Sequence, residues 1–199
     1  ANSLRGMGLS FDHEDFQSFY LGESLGLLLS GERPVEVRTF LQVNTLPYAT
    51  VEQAVQYLER NGVNLTLIID MLASINRQET GFTFSKQNCS ALLIRIAEVA
   101  SSVNNPIQLE RLILSAASLE GRSLSNVSFL SCELQPTGID GANMDDVSFV
   151  DCDFERLELD GDSDLRGIRM EDCRIASLAI PGDDVQSFDP RAISQYLRQ

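Results

Sequence analysis

The chain has 199 residues and a formal net charge of -14 at pH 7, with 43% hydrophobic residues, no Trp and four Cys. That length holds one large domain or two small ones, and the apolar content excludes a disordered chain. No run of about eighteen apolar residues occurs, which excludes a helical membrane span, and the acidity argues against direct contact with nucleic acid or membrane surfaces.

The start, Ala1-Asn2-Ser3-Leu4-Arg5, has no initiator Met and no signal-peptide pattern, and reads as a cut within a longer protein. Leu9-Ser10-Phe11 reads as an extended entry and Asp12 as the cap of a helix running to about Leu29, with Gly31 and Pro34 ending it. The stretch Phe11-Asp12-His13-Glu14-Asp15-Phe16-Gln17-Ser18-Phe19-Tyr20-Leu21-Gly22 resembles a motif, roughly F-x-H-x-x-F-x-[ED]-[FY]-[FL]-x-A, found C-terminal to the core of NACHT-type and related STAND NTPases. Phe11, His13, Phe16, Phe19 and Leu21 carry the resemblance, whereas Ser18 and Gly22 depart from it. In that family the motif His lies near the bound nucleotide or in a packed winged-helix interface, so two readings of His13 stand: a nucleotide sensor of the parent protein, or a packing residue. A phosphate-binding loop, G-x-x-x-x-G-K-[ST], is absent from the sequence, so the resemblance implies NTPase machinery upstream.

Further helices come next. Val35, Val37, Phe40, Leu41 and Val43 mark a short one ending near Leu46-Pro47. Thr50 and Gln53 form a capping box for a helix to Glu59 or Arg60, with Val51, Ala54, Val55 and Leu58 inside and Gly62 as terminator. Asn64 caps the next, burying Leu67, Ile68, Met71, Leu72 and Ile75; Ser85 begins another, with Leu92, Leu93, Ile96, Val99 and Ala100 inward. Asn105-Pro106, with Gln108 three residues after the Asn, predicts a last helix with Leu109, Leu112, Ile113 and Ala116 on its core side, capping the segment beyond it.

From there the period changes to five. Leu119, Leu124, Phe129, Leu134, Ile139, Met144, Phe149, Phe154 and Leu159 are all large and apolar; the phase slips by one within Asp160-Gly161-Asp162-Ser163-Asp164 and resumes at Leu165, Met170, Ile175 and Ile180. Two residues before each lies a second inward set containing Val127, Cys132, Val147, Cys152, Ile168 and Cys173, with Arg122 its one charged member. A fixed repeat of this kind signals a solenoid, and like residues recur after twenty and then twenty-one positions, so four five-residue units make one coil. The segment resembles the pentapeptide-repeat family, with Gly141-Ala142-Asn143-Met144-Asp145 its best copy of the loose A-[DN]-L-x-x consensus. The resemblance implies a right-handed, four-sided β-helix of about three coils, about 14 Å tall. The expected fold is therefore α+β: an α-helical domain at 1–116, the β-helix at 117–183 and a capping helix at 184–199. Asp189 and Pro190 start that last helix, which covers the final coil or pairs with a second chain.

Nothing nominates an active site. The run Asp160 to Asp164 has a calcium-loop look without a full ligand set, and is read as a solvated bulge at the slip rather than a calcium site. Cys89, Cys132, Cys152 and Cys173 lack zinc spacing; Cys132, Cys152 and Cys173 are expected as an inward ladder of reduced thiols, suiting a cytoplasmic protein. No catalytic residue, metal or cofactor is expected. Residues 117–199 carry 17 acids against 7 Lys and Arg, which either keeps a β-helix soluble or attracts a basic protein partner. The leading expectation is a non-catalytic interaction or sensor module from the C-terminal part of a STAND-like NTPase in signalling or defence. The alternative is an acidic DNA mimic resembling the gyrase-protecting pentapeptide-repeat proteins, and an enzyme within this chain ranks third.

Overall fold

The fold is known from a computed structural model, which describes residues 13–81, 83–100, 106–115, 118–138, 141–158 and 168–179. The extended entry at Leu9, the Asp12 cap, the aspartate run Asp160 to Asp164 and the helix expected from Asp189 lie outside these residues. Five helices precede a set of short parallel strands, an α+β arrangement.

The helices are α1 (His13–Ser30), α2 (Pro34–Leu41), α3 (Tyr48–Arg60), α4 (Leu65–Gln78) and α5 (Phe84–Ala100). The apolar stripe of α3 is buried as expected, at Val51, Ala54, Val55 and Leu58. Gly62, at φ +62, closes the helix: its N–H donates to Glu59 O and that of Val63 to Leu58 O, a pairing that needs a left-handed residue. The Asn64 side chain then caps α4 by accepting from Thr66 N–H at 3.0 Å. The capping box at Thr50 does not form. Pro47 O already accepts from the N–H groups of Thr50 and Val51, so α3 starts at Tyr48 and places Thr50 inside the first turn. Its hydroxyl is buried with no partner among the described residues, and Gln53 donates instead to Glu23 on α1.

α1 lies against α3 through glycine. A Cβ on Gly22 would stand 2.5 Å from Gln53 Cβ and 2.9 Å from Thr50 O; one on Gly26 would stand 2.7 Å from the Tyr57 side chain. The buried face of α1 is thus Gly22, Leu25, Gly26 and Leu29, while Phe16, Phe19, Tyr20 and Leu27 are exposed.

The strands begin ten residues earlier than the five-residue phase was followed. Where a helix was expected from Asn105 to Ala116, the chain forms β1 (Ile107–Glu110) and β2 (Ile113–Leu114). Leu109, Leu112 and Ile113 fit a helical stripe, but Leu109 and Leu114 also extend the five-residue phase back from Leu119. Pairing of β1 with β4 sets Leu109 beside Phe129, and this tertiary contact outweighs the local helix signal. The remaining strands are β3 (Ser123–Ser125), β4 (Val127–Leu130), β5 (Glu133–Leu134), β6 (Thr137–Gly138), β7 (Asn143–Asp145), β8 (Val147–Val150), β9 (Asp153–Phe154), β10 (Leu157–Glu158), β11 (Ile168–Glu171), β12 (Arg174–Ile175) and β13 (Leu178–Ala179).

They form four parallel sheets, ordered β1-β4-β8-β11, β2-β5-β9-β12, β6-β10-β13 and β3-β7. Partners are twenty residues apart up to β10, as in Ile107↔Val127 and Ser128↔Ser148, and twenty-one apart beyond it, as in Val147↔Ile168 and Leu157↔Leu178. The one-residue slip therefore falls between Glu158 and Ile168. Backbone reversals recur at the same places: φ is positive at Arg111, Ser131, Asp151 and Asp172, between strands of the first and second sheets, and at Asn126 and Asp146. Asn and Asp tolerate this region better than other side-chain-bearing residues. Inside, the rings of Phe129 and Phe149 stack at 4.9 Å, and Phe154 meets Phe149 edge-on at 5.3 Å.

On the side of β1 and β2 away from β4 and β5, backbone groups would be unpaired. Helices supply their partners: Asn76 of α4 donates to Glu110 O and Arg111 O, and Ser90 Oγ of α5 accepts from Ile113 N–H. Side chains from α4 and α5 thus perform the capping expected of a helix at 105–116. The close approach of α1 and α3 predicts that Gly22→Ala destabilises the protein by about 1–3 kcal/mol in urea unfolding, because overlap with Thr50 O outweighs the gain in helix propensity.

Candidate functional site

The sequence marks one anomaly in the repeat, a charge at Arg122, and the fold explains it. Arg122 precedes β3 and faces the helical layer, where Glu52 of α3 and Arg95 and Glu98 of α5 converge. Arg122 Nη1 donates to Glu98 Oε2 at 2.9 Å and more weakly to Glu52 Oε1 at 3.4 Å. Arg95 Nε lies 2.8 Å from both Glu52 oxygens, and Arg95 Nη1 lies 3.3 Å from Glu98 Oε2. The other Glu98 oxygen accepts from Ser123 N–H at 3.0 Å. The Arg122 guanidinium also stands over the Tyr48 ring, 5.0 Å from its centroid. Arg122 and Arg95 are only 12% and 17% exposed, so two cations and two anions form a largely desolvated, charge-balanced knot between helices and strands.

Burial opposes ionisation of Glu52, but hydrogen bonds from Arg95, Tyr48 and Arg122 outweigh it and move its carboxyl below the ordinary 4.5. Burial, together with the Glu52 acceptor, raises the Tyr48 phenol. Beside the knot lies a cleft of about 290 Å³, bounded by the α2–α3 connection, α5, and the strand layer at Ile113, Ser115 and Arg122.

Among the expected repeat residues, Leu119, Leu124, Phe129, Leu134, Met144, Phe149 and Phe154 are buried, while Met170 and Ile175 are half-buried and pack on the core. Ile139, Leu159, Leu165 and Ile180 lie outside the described residues. The cysteines are free thiols; Cys132 and Cys152 are buried and Cys173 is half-buried. Successive rungs touch: the Cys132 N–H meets Cys152 Sγ at 3.4 Å, and Cys152 and Cys173 donate to Phe129 O and Phe149 O. The bond shared by Cys132 and Cys152 lowers the first thiol and pushes the second up to about 11. The bond to Cys152 likewise raises Cys173, and burial pushes Cys89 up to about 12. His13 is the first residue of α1, and its side chain lies outside the described residues. Among the described residues no cluster of His, Cys, Asp and Glu could hold a metal ion, and no helix is long and apolar enough to cross a membrane.

Sequence reasoning singled out Arg122 but not its partners. Glu52, Arg95 and Glu98 sit on helix faces that read as ordinary solvated charge, and only the docking of α3 and α5 on β3 brings them together. Comparison with protein-family models, with curated proteins and with solved structures finds no match to this chain.

The geometry of the knot and of the thiols sets three expectations. Arg122→Met removes one of the two cations that balance Glu52 and Glu98, while Arg95 and Ser123 N–H still engage Glu98, and costs about 1.5–3 kcal/mol of unfolding free energy. Because the folded Glu52 carboxyl is depressed, its contribution is complete above the ordinary carboxyl range and is lost as pH falls through the folded value; acid titration of stability therefore drops below pH 4.5 in the wild type and is flatter in Glu52→Gln. Thiol alkylation at neutral pH is slow for all four cysteines in the folded protein and becomes rapid in denaturant, as mass spectrometry would record.

Proposed function

We propose that this chain is a non-catalytic interaction and sensor module, the C-terminal part of a STAND- or NACHT-like NTPase acting in cytoplasmic signalling or defence. Its strands form the right-handed, four-sided β-helix of the pentapeptide-repeat family. Support for the repeat comes from the register: partners twenty residues apart, buried residues at the five-residue phase, and reversals at fixed corners. The observation that carries the functional reading is the outer face of α1. Tyr20 and Leu27 are 62% and 61% exposed, and Phe16 and Phe19 are each 44% exposed, within or just after the stretch that resembles the NTPase motif. A contiguous aromatic and aliphatic face of this kind marks contact with another protein surface, here the upstream nucleotide-binding region.

The alternative, an acidic DNA mimic, rests on the net charge. It is less well supported because acids on the strand surface are interleaved with arginine: Asp146 pairs with Arg169 and Asp153 with Arg174. The test is ATP binding and hydrolysis by the full-length protein, compared with this chain. Binding by the first and not the second is the expected result. If the full-length protein binds no nucleotide, the switch reading fails, and binding of this chain to a topoisomerase becomes the measurement that decides for mimicry.

A further inference from the structure

We draw no further inference here: the strongest candidate, the cleft between the α2–α3 connection, α5 and the strand layer beside Arg122, carries hydrogen-bond donors and acceptors alike over an apolar floor, and nothing in the structure shows what occupies it.

Discussion

The strand half depends on one constraint, parallel pairing of segments about twenty residues apart. Its strands are two to four residues long and could not persist singly. Each is held only because its neighbours in the stack present the same residue type at the same place: Phe129 on Phe149, Cys132 on Cys152, Ser128 Oγ within 2.8 Å of Ser148 Oγ. The corner residues serve that constraint. A left-handed backbone at Ser131, Asp151 and Asp172 turns the chain at equivalent points, so the inserted residue before Ile168 shifts the numbering without breaking the pairing.

A stack of this kind has ends, and the first end is where the helices matter. Asn76 and Ser90 satisfy backbone groups that another strand would otherwise satisfy, while Leu109, Leu112 and Leu114 continue the helical core into the strand core. The ionic knot belongs to the same junction. A guanidinium in the inward phase of an apolar repeat would be costly alone; the acids of α3 and α5, brought down onto it by helix packing, offset that cost. The cleft arises from the same docking. It lies where the α2–α3 connection and α5 meet the strands around the knot, and so combines an apolar floor with polar side chains on its wall.

Much of this was legible in the residues. The five-residue phase placed seven buried side chains from Leu119 to Phe154, anticipated the stacking of cysteines, and located the slip; the apolar stripe of α3 and the Asn64 cap were read in the same way. These are local or strictly periodic signals. The errors came where two signals overlapped or where the information lay in a partner. Residues 107–114 carry both a helical and a five-residue spacing, and Thr50 has the form of a cap but comes after a proline whose carbonyl already begins the helix. Gly22, noted in the sequence only as a departure from the NTPase motif, is with Gly26 the contact face of α1.

By itself the sequence determined the five-residue repeat, its phase and the five helices up to residue 100, because periodic burial is written into residue type at fixed spacing. Only the tertiary structure decided where the strands begin, which face of α1 is turned outward, and which acids meet Arg122. Those outcomes depend on contacts between residues from twenty to seventy positions apart, and no local propensity encodes them.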